Sequence, residues 1–203
     1  MSRREELRGR IGGWYRGEAH LAFTIVLSLG VTALFASRLR DVRPLEWLVV
    51  PPFFLFCSLA EYLEHRYLLH QRRFSELAFR IHTLEHHAFF TIEEFRTDSR
   101  RDYFYVLFPP LFVVGYMALL ATGFGALFYW LISPNVGCLV AATAAFFFFL
   151  YELIHFGSHM EWRLPPFRQL GEHHRRHHQT ELMTTRNFNV VCPVFDWLFG
   201  TLE

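Results

Sequence analysis

Long apolar blocks without charged residues alternate with polar segments along this chain. Residues 21–37 and 47–60 contain no charged side chain, and residues 103–151 run for 49 positions without Asp, Glu, Arg or Lys. Because a helix needs about 20 apolar residues to cross a bilayer, the third block is long enough for two spans. The pattern therefore predicts four transmembrane helices, over residues 20–38, 46–64, 107–131 and 136–156.

A turn in the third block divides these spans into two hairpins. The segment "SPNVG" at 133–137 combines Ser, Pro, Asn and Gly, which suit a turn. The first hairpin then covers residues 20–64 and the second covers residues 103–156. The polar segments are 1–19, 65–102 and 157–203, and the length suits one domain over 1–203.

The fold class follows from how little polar sequence is left. The chain is 52% hydrophobic, and the remainder is too short to cover four apolar blocks as the core of a soluble protein. We therefore expect an all-α integral membrane protein. The first block exceeds the apolar core of a signal peptide and no cleavage site follows it, so we expect it to be retained as an anchor.

Arginines set the expected orientation. All 20 basic residues are Arg, and seventeen of them fall in the N-terminal segment, in residues 64–102 or after residue 156. Only Arg38, Arg40 and Arg43 lie in the loop of the first hairpin. The positive-inside rule then places both termini and the central segment on the cytoplasmic side. The use of Arg without Lys hints at a GC-rich bacterial genome and hence at a bacterial inner membrane.

Two classes of partner or site are disfavoured by composition. The formal net charge of +1 argues against a nucleic-acid partner, which usually needs a dense basic face. The three cysteines, Cys57, Cys138 and Cys192, show neither a disulfide framework nor metal-ligand spacing.

Eleven of the 12 histidines fall in four short clusters, all on the predicted cytoplasmic side. These clusters are "HRYLLH" (65–70), "HTLEHH" (82–87), "HFGSH" (155–159) and "HHRRHH" (173–178). Residues three or four apart share a helix face, so His174, His177 and His178 can converge, whereas His173 should point away. His65 and His70 are five apart, about 140° around an α-helix. That pair needs a helix end, a distortion or two separate metal ions.

About ten imidazoles in one place predict a metal centre. Neutral imidazole is a common metal ligand, and without a metal the rings would lack partners or repel one another when protonated. All-imidazole ligation suits Zn, Cu, Fe or Ni, but a structural zinc site needs only four ligands. Two metals and oxygen chemistry fit better. Glu61 and Glu152 are expected either to orient imidazole N–H groups or to be solvated at a helix end, and Asn187 either to reach a metal-bound water or to cap a turn.

The four clusters and the ending "NFNVVCPVFDWLFGTL" resemble the fatty acid hydroxylase/sterol desaturase superfamily of membrane di-iron enzymes over about residues 45–203. The third and fourth clusters are most similar to its fatty acyl/sphingolipid 2-hydroxylase branch. The resemblance implies four membrane helices with a cytoplasmic helical cap that holds two iron ions, with O₂ as co-substrate and zinc possible after purification. The ligands that it implies are His65, His70, His82, His86, His87, His155, His159, His174, His177 and His178.

The chain departs from this pattern in two respects. Its second cluster has three residues before the HH pair, at His86 and His87, where the family usually has two. Eukaryotic lipid 2-hydroxylases of the family often carry a fused haem domain that donates electrons, and this sequence shows none. The resemblance therefore implies a separate electron-donor protein.

The expected function is hydroxylation of an unactivated C–H bond in the acyl chain of a lipid within the bilayer. A desaturase or a sterol or carotenoid hydroxylase on the same scaffold is the alternative within enzymes. A membrane metal- or haem-binding protein without oxygenase activity is the alternative from another class. A haem protein would need histidine pairs within facing helices, and a transporter would need polar ligands near the bilayer midplane. The long uncharged block at 103–151 offers almost no such histidines or polar ligands.

Overall fold

The computed structural model describes residues 2–203, and every regular element in that range is a helix. We number the helices along the chain as α1 (Arg3–Arg10), α2 (Gly17–Ala36), α3 (Pro44–Leu69), α4 (76–89), α5 (Tyr103–Val106), α6 (Pro110–Leu131), α7 (Pro134–His159), α8 (Phe167–His177) and α9 (Val194–Leu198). The predicted all-α class is confirmed.

Four helices, α2, α3, α6 and α7, are long and apolar enough to cross a membrane, with 20 to 26 residues each and mean hydropathies of 1.3 to 2.0. They coincide with the four predicted spans, because uninterrupted apolar length is what a bilayer-spanning helix requires. Helices α3 and α7 continue several residues beyond their predicted ends. As a result, these continuous helices also carry His65 and His159, in addition to His155 of the predicted span.

The chain divides into two compact units. The first, called the span unit, comprises Ala19–Cys57 and Phe108–Glu152. The second, called the histidine unit, comprises the N-terminal residues to Glu18 together with Ser58–Leu107 and Leu153–Glu203. Helices α3 and α7 contribute residues to both units.

Within the span unit, glycines allow α6 and α7 to approach closely. A Cβ atom on Gly137 would lie 2.5 Å from the carbonyl oxygen of Gly125, and one on Gly125 would lie 2.7 Å from the Cβ of Ala141. Small residues at such a crossing permit close backbone packing in an environment where apolar side chains gain nothing from leaving lipid. The helices of the predicted second hairpin are therefore packed against each other.

A buried carboxylate ties the loops of the span unit together. Glu46, at the start of α3, accepts hydrogen bonds from Ser133 Oγ at 2.5 Å and from Asn135 Nδ2 at 3.1 Å. The same Asn135 side chain donates to the carbonyl oxygen of Arg40 at 2.8 Å. These bonds satisfy polar groups at the loops between the spans.

Within the histidine unit, α3 and α4 each contain a π-helical segment. The last turn of α3, Glu64–Leu69, is π-helical, and so is Arg80–His86 in the middle of α4. A π-helix bonds residue i to i+5 instead of i+4, so residues five apart share one face of the helix. Both segments fall on histidine clusters.

The N-terminal helix α1 is packed into the histidine unit. Ser2 and Glu5 form a capping box at its start, which satisfies two otherwise free backbone N–H groups. Leu7 is fully buried, and Arg4 is only 4% exposed. The sequence predicted a polar segment here without assigning it structure.

Candidate metal centre

The ten histidines predicted as ligands are all buried, and the structure brings them together in the histidine unit. The first group consists of His65, His70, His82, His87 and His177, and the second consists of His86, His155, His159 and His174. In each group the candidate ligand nitrogens all lie within 4.8 Å of one another. His178 lies between the groups, with its ring centroid 4.2 Å from that of His87 and 4.9 Å from that of His86.

Within this cluster the Nε2 atoms face one another. In the first group, the His82 Nε2 lies 2.9 Å from that of His65 and 3.2 Å from that of His87. The Nε2 atoms of His70 and His177 are 2.9 Å apart. Around the second group, the His174 Nε2 lies 3.3 Å from that of His159 and 3.1 Å from that of His178.

The π-helical segments explain which histidines fall in the same group. His65 and His70 are five apart, and so are His82 and His87, and both pairs belong to the first group. An α-helix would separate such residues by about 140°, whereas i-to-i+5 bonding brings them onto the same face. His86 follows His82 by four residues and belongs to the second group instead. Of the three alternatives for His65 and His70, a helix end, a distortion or two separate metal ions, the structure shows a distortion, and it lies at the end of α3.

Backbone carbonyl groups hold the outer nitrogen, Nδ1, of five of these rings. The Nδ1–H groups donate to carbonyl oxygens as follows: His65 to Phe188, His86 to Tyr105 at 2.6 Å, His159 to Phe95 at 2.9 Å, His177 to Arg186 at 2.8 Å, and His178 to Phe90 at 2.5 Å. A carbonyl oxygen only accepts, so Nδ1 must carry the hydrogen in each ring. The lone pair of each neutral ring is then on Nε2, which faces the centre of the cluster.

This arrangement fits a bound cation. The Nε2 atoms of His86 and His178 are 3.2 Å apart, and both rings have Nδ1 committed as the donor. Neither Nε2 can therefore donate to the other while the rings are neutral, and two lone pairs face each other. A metal ion shared by such nitrogens removes the conflict, and a hydrogen bond on the outer nitrogen is what metal-bound histidines usually have.

Burial keeps these imidazoles neutral, as metal ligands must be. Burial lowers the pKa of His86 from 6.5 to about 4, against the opposing hydrogen bond to the Tyr105 carbonyl. Burial and the neighbouring imidazoles also hold the pKa values of His82, His87, His174 and His178 well below 6.5. The cause is the cost of removing a charged ring from water.

The two carboxylates expected to orient imidazoles have other partners in the structure. The Glu61 carboxylate accepts hydrogen bonds from the backbone N–H groups of Val190 at 2.5 Å and Val191 at 3.1 Å, and from Asn189 Nδ2 at 3.1 Å. Glu152, in the span unit, accepts from the backbone N–H of Phe108 at 3.2 Å. Backbone carbonyls perform the orienting task instead, because they satisfy a donor without bringing a further charge into the interior.

Asn187 also takes a structural position. Its Nδ2 donates to the His173 carbonyl at 3.2 Å, and its Oδ1 accepts from the backbone N–H of Glu203 at 2.8 Å. Its φ of 56° lies in the left-handed region, which Asn tolerates better than most residues. Of its two expected roles, the contacts correspond to the turn.

His173 and His20 lie outside both groups. The His173 Nε2 is 3.3 Å from the carboxylate of Asp196, a fully buried residue. His20, in the span unit, has its Nε2 2.9 Å from the carbonyl oxygen of Phe108. Neither residue is among the ten predicted ligands, and neither belongs to either histidine group.

Asp196 is the residue that the sequence reasoning passed over. Its carboxylate accepts from the backbone N–H groups of Phe188 and Asn189, both at 2.8 Å, and from Thr201 Oγ1 at 2.7 Å. These bonds hold the C-terminal segment in a conformation in which the Phe188 carbonyl accepts the hydrogen bond from His65 Nδ1. Asp196 lies in the apolar C-terminal stretch "FDWLFGTL" (195–202). A single aspartate among apolar residues is the sequence feature that could have indicated its structural role.

Comparisons with known proteins agree with this site. The sequence model described as fatty acid hydroxylase matches residues 50–201. A solved structure described as "Full length scs7p (only hydroxylase domain visible)" is similar, with 26% sequence identity and a TM-score of 0.56. The match covers 87% of this chain and 61% of that one. The chain thus spans less than two thirds of that protein.

Curated protein sequences give no significant match. The family match nevertheless extends over well more than half of the chain and contains all ten predicted ligands. Together with the four apolar helices, it supports an integral membrane protein. The chain belongs to the fatty acid hydroxylase family.

Proposed function

We propose that this protein is a membrane-bound, non-haem di-iron oxygenase that hydroxylates an unactivated C–H bond in a lipid acyl chain. The observation that carries the proposal is the pair of buried histidine groups in which the candidate ligand nitrogens lie within 4.8 Å of one another. Membership of the fatty acid hydroxylase family and the likeness to a structure described as a hydroxylase domain support the reaction class.

Each histidine group would hold one iron ion. The first ion would be held by the group containing His65 and His177, and the second by the group containing His86 and His159, with His178 between them. Two bound iron ions would supply O₂ activation and the removal of hydrogen from the C–H bond. Zinc binds similar ligands but has no redox chemistry, so we assign iron to the working enzyme.

The chain's own contribution is to fix the ligands and exclude water. The hydrogen bonds from Nδ1 to backbone carbonyls hold five of the ten rings in one tautomer and orientation. Aromatic rings pack directly on the histidines: Phe90 and Phe95 lie 4.2 Å and 4.4 Å from His159, and Phe188 lies 5.7 Å from His177, between ring centroids. An apolar surround of this kind controls solvent access to a metal site, which protects a strongly oxidising reaction from side reactions.

The substrate and partners follow from the chemistry and the membrane helices. A lipid in the bilayer can present its acyl chain to an enzyme whose four apolar helices cross the same bilayer. Hydroxylation places one oxygen atom of O₂ in the C–H bond and releases the other as water, which consumes two electrons and two protons. We assign the electrons to a separate donor protein, and the site to the cytoplasmic face of a bacterial inner membrane.

Mass spectrometry of total lipids tests this proposal. Cells producing the intact protein are compared with cells producing His178→Ala, and with His173→Gln as a matched control from the same cluster. We expect one lipid class to gain the mass of a single oxygen atom with the intact protein and the control, but not with His178→Ala. Loss of two hydrogen atoms would indicate a desaturase instead.

Metal analysis of the purified protein provides the second test. After anaerobic loading with Fe²⁺, we expect about two ions per chain, because there are two groups of imidazole ligands. A preparation that is folded but binds fewer than two ions would contradict the di-iron mechanism.

A further inference from the structure

Arg4 of α1 is a buried cation that binds the chain segment following α4. Its side chain is 4% exposed, and its guanidinium donates to the carbonyl oxygens of Glu94 at 2.8 Å and Arg96 at 2.6 Å. It also lies 3.2 Å from the Asp98 carboxylate and 3.5 Å from that of Asp102. The planar guanidinium can satisfy several acceptors at once, which an ammonium group does less well.

The two carbonyls held by Arg4 flank Phe95, which holds His159. The Phe95 carbonyl accepts the Nδ1–H of His159 at 2.9 Å, and its ring lies 4.4 Å from the His159 ring. The next contact along the segment is the Thr97 N–H, which donates to the His159 carbonyl at 2.9 Å. Arg4 therefore fixes the backbone on both sides of a residue that orients a candidate ligand.

A second contact joins α1 to another ligand of the same group. The Tyr105 hydroxyl donates to the carbonyl oxygen of the fully buried Leu7 at 2.8 Å. The Tyr105 carbonyl in turn accepts the Nδ1–H of His86 at 2.6 Å. His86 and His159 both belong to the second histidine group.

The first histidine group is oriented by a different part of the chain. The carbonyls of Phe188 and Arg186 accept from His65 and His177. Asp196 holds this C-terminal segment through its bond from the Phe188 N–H at 2.8 Å. Helix α1 takes part in none of these three hydrogen bonds.

From these contacts we propose that two separate parts of the chain position the two metal sites. Helix α1 positions the second group, with Arg4 as its positioning residue, and the C-terminal segment held by Asp196 positions the first. The inference rests on the proposed function, because it takes each histidine group to hold one ion. It also assigns a role in the metal site to residues 3–10, which lie outside the family match.

Cobalt binding to the full-length chain in detergent tests the inference. Four single variants are compared with the intact protein: Arg4→Met, Tyr105→Phe, Asp196→Asn and, as control, Arg3→Met. Arg3 lies on the same helix but is about half exposed, and its guanidinium pairs with the Glu6 carboxylate at 2.7 Å. The measurements are bound Co²⁺ per chain, its absorption spectrum, and its release rate into a chelator.

We expect the intact protein and Arg3→Met to bind about two Co²⁺ ions per chain. Arg4→Met should lower the affinity for one ion by roughly 10–100-fold, the usual cost of losing a group that orients ligands. The affinity for the other ion should not change. Asp196→Asn should lower the affinity for the other ion. The ion that stays bound is then a different one in each variant, and the two variants should differ in their Co²⁺ absorption spectra. Tyr105→Phe removes only a hydroxyl group and should weaken the same ion as Arg4→Met, by a smaller factor.

Specific outcomes would overturn the inference. In one such outcome, Arg4→Met and Tyr105→Phe release both ions at the same rates as the intact protein. In the other, both variants lose the two ions equally. Either result would show that α1 does not position one site selectively. If Arg4→Met does not fold, as judged by circular dichroism, Tyr105→Phe alone decides between these results. An intact protein that binds fewer than two ions contradicts the proposed function itself.

Discussion

At the scale of single residues, the direction of each imidazole matters as much as its presence. His173 and His174 are adjacent in sequence, yet their surroundings differ. His174 is fully buried, with its Nε2 3.3 Å from that of His159, whereas His173 faces Asp196. Position on the helix, set by 3.6 residues per turn, separates a candidate ligand from a structural residue.

This difference predicts opposite results for the two glutamine variants. We expect His174→Gln to lower the affinity of one metal ion by at least about 10-fold, because a ligand is removed from the second group. His173→Gln should keep both ions, since a glutamine amide can still donate to Asp196. Elemental analysis of the Fe²⁺-loaded proteins measures both. Equal metal loss in the two variants would contradict the assignment.

The lowered pKa values predict how the metal-free protein responds to acid. Burial lowers the pKa of His86 to about 4, whereas an imidazole in the unfolded chain titrates near ~6.5. Between these values the unfolded state binds more protons, so stability falls as the pH is lowered from about 6.5 to about 4. Each histidine of this kind contributes up to about 1.4 kcal/mol per pH unit.

Thermal unfolding of the chelated protein in detergent measures this effect. We expect the midpoint to fall as the pH is lowered through that window, and His86→Gln to reduce the slope by one proton. Above about pH 7 the midpoint should change little, because both states are then neutral at these rings. A midpoint that is constant between about pH 7 and pH 5 would show that these rings are accessible to protons in the folded state.

At the scale of elements, the π-helical segment of α4 accommodates the unusual spacing of the second cluster. Three residues precede the pair at His86 and His87, one more than the resemblance leads us to expect. Within Arg80–His86 the backbone is π-helical, and a π-bulge is in effect an α-helix with one residue added. The extra residue thus fits without displacing the histidines on either side.

This interpretation predicts that one residue can be deleted from α4. Leu84 is 47% exposed, and its deletion should turn the π-helical segment into a regular α-helix while the three histidines still face the centre. We expect the variant to retain both ions, with a loss of affinity below about 10-fold. Deleting the exposed Arg176 from the regular helix α8 is the control, and it should abolish binding at His177 and His178. Metal content per chain compares the two deletions.

The sequence predicted structural elements correctly where the side chains alone determine whether the element forms. Apolar length predicted α2, α3, α6 and α7. Spacing predicted that His174, His177 and His178 converge on one point, but the structure puts His174 in the second group and His177 in the first, because sharing a helix face does not decide which group a ring joins. The sequence also showed that His65 and His70 need a helix end, a distortion or two separate metal ions, but not which of these applies, since no residue pattern is specific for a π-helix. The carbonyls of Phe95 and Phe188 were unpredictable, because every residue has a carbonyl group and only the tertiary fold selects the ones used.

At the scale of the whole molecule, the distribution of arginines predicts the orientation in the membrane. Seventeen arginines lie in the termini and the central segment, and three lie in the loop of the first hairpin. The ten predicted ligands follow the same division, since all of them belong to the histidine unit. Under the proposed function, a separate cytoplasmic donor would need the metal site on its own side of the membrane. The positive-inside rule predicts that same orientation.

Labelling with a membrane-impermeant maleimide tests this orientation. The three native cysteines are replaced by alanine, and single cysteines are placed at the exposed positions Ser37 and Glu181. Ser37→Cys should react in intact bacterial spheroplasts, whereas Glu181→Cys should react only after the membrane is permeabilised. The reverse pattern would place the histidines on the outer face and exclude a cytoplasmic electron donor. Labelling of both sites in intact spheroplasts would contradict the passage of four helices through the membrane, since Ser37 and Glu181 are then on one side.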